Sequence, residues 1–190
     1  MIQDNHQREG VIIAGFGGQG IVFSGKLLAH TAMSVGKEVT YIPSYGAEVR
    51  GGTSNCTVVM DNEPIASPVL SHPDSLIIMN KASLLKFAPN LKPKGLLIYN
   101  RSLIQTEPDN LPDGVTLVSV PADEIAVELG NQKVANMVIL GAYLRTRGML
   151  EIDDVISALP HVLAQRYHHT LPTNTEALRK GAELALASLA

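Results

Sequence analysis

Residues 11–20 read Val11-Ile12-Ile13-Ala14-Gly15-Phe16-Gly17-Gly18-Gln19-Gly20. A short apolar run that ends in glycines is the pattern of a buried strand running into a tight turn. Residues 20–35 then read as a helix, and Gly36 is a natural stop beyond its last turn. Val39-Thr40-Tyr41-Ile42 is β-branched and aromatic, with Pro43 behind it, and reads as a second strand. Strand, helix and strand in this order form a β-α-β unit, the crossover that joins parallel strands.

The alternation continues along the chain. Residues 44–53 form a glycine-rich loop, residues 55–60 a strand, and Asp61-Asn62 a turn that would return 63–66 as a hairpin partner. Further strands are expected at 75–79, 96–99 and 116–120, with a short helix over 81–88 closed by Pro89. Pro108, Pro112 and Gly114 mark 105–114 as a surface loop. The last third is helical. Asp123 is the expected N-cap of one helix, and a long helix runs from 131 or 132 to 147, ended by Gly148. Its stretch 134–144 is apolar almost all round, so it belongs at the centre. A short helix over 153–159 stops at Pro160, and 176–189 is a final amphipathic helix. The pattern specifies an α/β fold of three layers, Rossmann-like, with a mainly parallel sheet flanked by helices. No repeat or linker divides it, so residues 1–190 read as a single domain.

Composition narrows the function. The 190 residues are 45% apolar and 17% charged, as in an ordinary globular protein. A net charge of -3 with no long Lys/Arg run argues against a nucleic-acid partner. The one cysteine, Cys56, allows no intrachain disulfide and no four-thiolate iron–sulfur cluster. The polar start of the chain has no secretory h-region, and the apolar stretch 134–144 contains Asn136 and is too short to span a bilayer. A cytoplasmic location without membrane contact is the expectation.

Two loops carry the chemistry. Residues 15–20 match G-x-G-x-x-G between a strand and a helix, the context that pattern requires. Glycines allow positive φ and close backbone approach, and the helix start offers N–H groups to an anion. A dinucleotide site is disfavoured: the second strand ends Ile42-Pro43-Ser44-Tyr45, without the acidic residue that would bind a ribose, and Glu38 faces the wrong end. A ligand-free packing turn and an anion- or subunit-binding loop both remain. The second loop, Ser44-Tyr45-Gly46-Ala47-Glu48-Val49-Arg50-Gly51-Gly52, also leaves the carboxyl end of a strand, where open α/β sheets bind ligands. Glu48 and Arg50 share a side of an extended segment, either as a solvated ion pair or as part of a shaped contact surface.

Together with Thr53-Ser54-Asn55-Cys56, these loops resemble the gamma subunit, or gamma-like domain, of 2-oxoacid:ferredoxin oxidoreductases. The resemblance extends through Ile65-Ala66-Ser67-Pro68, residues 74–80 and 96–100, Leu129-Gly130-Asn131 and Asn136-Met137, and so covers most of the chain. The Tyr-Gly-Ala-Glu-x-Arg-Gly-Gly form looks more like the 2-oxoglutarate or branched-chain 2-oxoacid enzymes than the pyruvate type. The resemblance implies a pyruvate/ketoisovalerate oxidoreductase gamma-type domain with no autonomous activity. It would serve an oxidoreductase that acts on the oxo group of a 2-oxoacid, 2-oxoglutarate favoured. That enzyme decarboxylates its substrate oxidatively, joins the acyl group to coenzyme A and passes electrons to ferredoxin. Alpha and beta subunits, with a ferredoxin-like delta subunit, are the implied partners. They would hold thiamine diphosphate, Mg²⁺ and the iron–sulfur clusters, leaving this chain with coenzyme A nearby and no cofactor of its own. The alternatives are a stand-alone nucleotide- or coenzyme A-binding module and, disfavoured by the second strand, an independent dehydrogenase.

The residues assigned to ligand or subunit contact are Gly17, Gly18, Gln19, Gly20, Tyr45, Gly46, Glu48, Arg50, Gly51, Gly52 and Asn136. None is assigned catalysis and none a metal. Asn136, in an apolar helix, needs hydrogen-bond partners, and a loop backbone is preferred to a ligand. Asn131 and Lys133 at that helix start face either an anion, another subunit or solvent. Cys56 reads as a small buried hydrophobe. The adjacent His168 and His169, in a strand or loop, point apart and read as surface residues.

Overall fold

The computed structural model describes residues 8–45, 53–106 and 108–189. Six strands form one sheet: β1 (Glu9–Phe16), β2 (Glu38–Tyr45), β3 (Thr53–Asp61), β4 (Ser75–Ile78), β5 (Leu96–Asn100) and β6 (Thr116–Val120), in the order β2-β3-β1-β4-β5-β6. The pairs β1–β4, β4–β5 and β5–β6 are parallel. The helices are α1 (Ile21–Ser34), α2 (Lys81–Phe87), α3 (Ala122–Glu128), α4 (Ala135–Arg147), α5 (Ile152–Val162) and α6 (Leu171–Leu189).

Alternation along each strand divides the core in two. Val11, Ile13, Ile77, Leu96, Ile98, Val118 and Val120 face the cluster built with α1, α3, α4, α5 and α6. Ile12, Ala14, Leu76, Ile78, Leu97 and Tyr99 face a smaller cluster with Leu84, Ala88, Leu91 and Ile104. The central strands are covered on both faces, which is why they read as unbroken apolar runs rather than alternating ones. The expected three-layer α/β architecture is the one observed, with α4 buried from Ala135 to Leu144.

The strand pairing departs from the expected β-α-β pair. β1 and β2 point the same way, but β3 lies between them, antiparallel to both. β2 is thereby an edge strand, and it runs through Pro43 to Tyr45 rather than ending at the proline. An edge position tolerates a residue with no N–H to give. Residues 63–66 form no returning strand.

Helix ends differ by local chemistry. Pro121, not Asp123, precedes the first turn of α3, and Asp123 instead bonds Asn100. The long helix is entered through a 3-10 turn, Gln132–Val134, where the Asn131 side chain accepts from Lys133 N (3.1 Å). Pro160 lies inside α5, in its last turn, where the chain loses only one helical hydrogen bond. α6 begins at Leu171, one turn earlier than its amphipathic pattern shows.

α4 and α6 cross where Gly141 meets the Leu178 backbone and Gly181 meets the Val138 backbone, so close that a Cβ on either glycine would collide with the opposite carbonyl. At the amino end of β1, the fully buried Glu9 carboxylate accepts hydrogen bonds from Ser75 Oγ, from Tyr143 OH (3.3 Å) and from Arg147 Nε (2.6 Å). Burial pushes the Glu9 carboxyl above its ordinary value, although Ser75 and Arg147 oppose the shift.

Candidate functional site

β1 and β2 deliver their following loops to the same edge of the sheet. Phe16 stands opposite Thr53, and Tyr45 opposite Ser54, so the stems of the β2–β3 hairpin flank the glycine loop. Gly46, Glu48, Arg50, Gly51 and Gly52, in that hairpin loop, lie outside the described residues, as does the side chain of Tyr45. β1 is also the strand where the order turns: the chain goes from it towards β2 on one side and later towards β4, β5 and β6 on the other. Such switch points are where open α/β sheets form ligand crevices.

The glycine loop is a braced structure. Gln19 N donates to Phe16 O (3.2 Å), and Gln19 Oε1 accepts from Phe16 N (2.7 Å) and from Asn80 Nδ2 (3.4 Å). The oxygen of Gln19 is therefore spent on Phe16 N and Asn80 Nδ2. Gly15 has no room for a side chain, since a Cβ there would lie 2.6 Å from that oxygen and 2.9 Å from Met79 Cβ. Gly18 (φ 97°) and Gly20 (φ 74°) take positive φ, which side chains resist. Gly17 is exposed on the loop.

Gly20 is the N-cap of α1, and the helix starts with no side-chain cap and no acidic residue in its first turn. The first N–H groups of a helix have no partner within it and carry its partial positive charge. Gly20, at this helix start, lines a cavity of about 560 Å³ together with Gly18, Asn131, Lys133 and Asn136, with Val162, Leu163 and Tyr167 on the wall from α5 and the 3-10 turn Gln165–Thr170. Lys133 is exposed there, so a cation and an uncapped helix start share one concave surface. That arrangement suits a ligand with phosphate groups and an apolar part.

Asn136 meets the loop backbone, as preferred from the sequence: its Nδ2 donates to Gly20 O (3.3 Å) and to Ser24 Oγ (3.1 Å). Asn131 and Lys133 join it on the cavity wall. Tyr167 and Asn174 were not legible as site residues, because they come from a turn and a helix more than a hundred residues beyond the glycine loop, with no local pattern to mark them.

Other candidates fall away. Cys56 is buried, donates weakly to Ile21 O, and has its thiol pushed up to about 12 by burial. A nearly insulated thiol of this kind is an inert packing residue. His168 and His169 sit in the 3-10 turn Gln165–Thr170, not in a strand or open loop, and their rings meet the carbonyls of Leu163 and Arg166. No group of three or more His, Cys, Asp or Glu side chains suited to a metal occurs among the described residues. No helix among them is long and apolar enough to cross a membrane.

The family model described as pyruvate ferredoxin/flavodoxin oxidoreductase matches residues 10–184. The ketoisovalerate oxidoreductase subunit VorA of Methanothermobacter marburgensis is 40% identical over 144 residues, which are 76% of this chain and 29% of that subunit. The chain thus spans under a third of the length of that relative. The 2-oxoglutarate synthase subunit KorC of Methanocaldococcus jannaschii is 33% identical over 181 residues, 94% of each chain. Among solved structures, the gamma subunit of a keto/oxoacid ferredoxin oxidoreductase from Geobacter sulfurreducens superposes with a TM-score of 0.81 at 26% identity, covering 95% of this chain and 98% of that one. The 2-oxoglutarate:ferredoxin oxidoreductase of Magnetococcus marinus, solved with 2-oxoglutarate, coenzyme A and succinyl-CoA bound, superposes with a TM-score of 0.86 at 26% identity, over 95% of this chain and 31% of that one. By sequence over nearly its whole length, and by fold, the chain belongs to the pyruvate ferredoxin/flavodoxin oxidoreductase family as a gamma-type chain.

Proposed function

We propose that this chain is the gamma subunit of a 2-oxoacid:ferredoxin oxidoreductase, with 2-oxoglutarate the favoured substrate, and that it supplies the coenzyme A side of the assembled active site. The observation that carries this reading is the cavity at the sheet's switch point, where the uncapped start of α1 and Lys133 face one concave surface. The phosphates of coenzyme A fit such a surface, because they satisfy the free N–H groups and the ammonium together. The apolar wall of Val162, Leu163 and Tyr167 suits the less polar part of the same ligand. The full-length relative named as a 2-oxoglutarate synthase subunit supports the substrate. The Magnetococcus marinus structure, with coenzyme A bound, supports the ligand.

The chain's own residues bind, orient and dock, and the redox chemistry belongs elsewhere. Thiamine diphosphate with Mg²⁺ supplies the decarboxylating power, and iron–sulfur clusters carry the electrons, in alpha, beta and delta-type partners. The hairpin loop with Glu48 and Arg50, whose stems flank the glycine loop, meets a partner subunit and shapes the cleft. The complex works in the cytoplasm and delivers electrons to ferredoxin.

The test is co-expression of the tagged chain with a thiamine-binding subunit pair and a ferredoxin-like subunit from the same source. Activity is then assayed with 2-oxoacid, coenzyme A and ferredoxin. A brown, thiamine-dependent complex that loses acyl-CoA formation when this chain is omitted supports the reading. A colourless monomer that recovers no partner and adds nothing to activity refutes it, and favours a stand-alone binding module.

A further inference from the structure

Asn136 in α4 and Asn174 in α6 are held almost wholly inside the molecule, 5% and 7% exposed, and both line the cavity of about 560 Å³. Each amide has its nitrogen fully used. Asn136 Nδ2 donates to Gly20 O (3.3 Å) and to Ser24 Oγ (3.1 Å), and Asn174 Nδ2 donates to Thr170 O (2.8 Å) and to Thr170 Oγ1 (3.0 Å). Gly20 O and Thr170 O are main-chain carbonyls, which only accept, so neither amide can turn over and present its oxygen to them. The two amide oxygens accept nothing from the chain. They are not sealed in the core either: the sealed side-chain atoms without a partner among the described residues are His30 Nδ1, Thr40 Oγ1 and Ser83 Oγ. Two carboxamide oxygens from different helices therefore open into one cavity with their acceptor capacity unspent.

What such a wall selects follows from its chemistry. An amide oxygen attracts N–H donors and repels a phosphate, which at neutral pH is chiefly an acceptor. The phosphates of a ligand in this cavity are accordingly directed to Lys133, and a part with N–H donors to the two asparagines. The rest of the lining includes Phe23, Val134, Val162 and Leu163, so the donor-bearing part has a largely apolar body. We propose that Asn136 Oδ1 and Asn174 Oδ1 accept hydrogen bonds from N–H groups of the bound ligand and so set its orientation in the cavity. This rests on the reading that coenzyme A is the ligand. Coenzyme A carries N–H donors on an apolar body in its pantetheine arm, through the amides, and in its adenine, through the amine.

The experiment uses the assembled complex and three thiol substrates: coenzyme A, an analogue whose arm amides are replaced by esters, and an analogue whose adenine lacks the amine. Both analogues keep the phosphates. KM is measured for each with the native complex and with Asn136→Leu, Asn174→Leu and Lys133→Ala. The native complex is expected to show a KM about tenfold higher for one analogue than for coenzyme A, the size of losing one donor to a buried acceptor, and that analogue identifies the part seated there. The gap is expected to close to about twofold or less in at least one leucine variant and to persist in Lys133→Ala. A purely structural role for the asparagines would raise the KM of all three substrates together and leave the gap, which overturns the proposal. Where a leucine variant does not assemble, Asn174→Ala carries the comparison, since Asn174 braces only Thr170, which is itself part-exposed. If the native complex takes all three substrates equally while Lys133→Ala raises the KM for coenzyme A, the role of the asparagines is overturned and the coenzyme A reading stands. If Lys133→Ala also leaves that KM unchanged, the coenzyme A reading fails with it.

Discussion

The glycine loop shows how one residue type answers two different demands. Gly18 has no atom within 4 Å of where a Cβ would be, so only its φ of 97° requires glycine. Gly20 combines a φ of 74° with a collision against Asn136. Gly18→Ala is therefore expected to cost about 1–2 kcal/mol of stability, from backbone strain alone. Gly20→Ala is expected to cost about 3 kcal/mol, with overpacking added. Urea denaturation of the two variants checks the order, and equal losses would mean that Asn136 gives way freely. Cys56 gives a second residue-scale expectation. Its thiol stays protonated in the folded chain up to about 12, against an ordinary value of 9.0. The folded state thus keeps a proton that the unfolded chain releases, so this contribution to stability is whole below pH 9 and is lost as pH rises from 9 towards 12. Cys56→Ala is expected to flatten the fall in stability over that window, as read by denaturation at several pH values. Iodoacetamide at pH 8 is expected to label the native thiol only at the rate of opening.

At the scale of elements, α4 acts as a strut between the two ends of β1. Its first turn holds the loop that follows β1 through Asn136 and Gly20, and its last turn holds the start of β1 through Tyr143, Arg147 and Glu9. The second contact is an ion pair between a fully buried carboxylate and a guanidinium about one third exposed. Removing one partner from such a pair strands the other charge. Arg147→Ala is expected to destabilise the chain by about 3 kcal/mol at neutral pH, at the low end for buried pairs because water reaches the arginine. The sign of its pH dependence follows from Glu9, which burial already holds above 4.5. Loss of Arg147 raises it further, so the variant's folded state keeps a proton that the native folded state has released, and the deficit grows as pH climbs past the native Glu9's own raised value. A penalty that is flat from pH 5 to pH 8 would show that Glu9 finds another counter-charge. None of this was legible in the sequence, since Glu9 and Arg147 stand 138 residues apart and neither lies in a pattern. The strand, turn and helix of residues 9–34 were legible, because apolar runs and glycines act locally. The place of β3 between β1 and β2 was not. Two strands joined by a helix read the same whether they pair or leave a gap for a third, and only the ladder of β3 against both decides it.

Taken as a whole, the molecule places its buried charge and its glycine loop at opposite ends of the strands. The buried charge of Glu9 and the ion pair of Asp74 with Lys92 lie at the amino ends of β1 and β4, where they close the core. The glycine loop, the uncapped start of α1 and the stems of the β2–β3 hairpin lie at the opposite edge, where an α/β sheet offers its binding crevice. The hairpin stems are paired residue by residue from Glu38–Asp61 to Tyr45–Ser54, and β3 is paired again with β1. The register is thus set by two ladders and does not depend on the identities of residues in the connecting loop. That division yields a sharp expectation for Glu48 and Arg50, the acid and base of that loop. The double variant Glu48→Ala, Arg50→Ala is expected to leave the thermal midpoint of the isolated chain within about 2 °C of the native value, because the paired stems hold the hairpin without them. In the co-expressed complex the same variant is expected to lower either the yield of assembly or the rate of acyl-CoA formation by at least about tenfold, as loss of charged contacts buried between subunits does. A large fall in the midpoint of the isolated chain would make the loop a structural element of the hairpin. A stable chain with undiminished assembly and activity would remove Glu48 and Arg50 from the proposed contact surface.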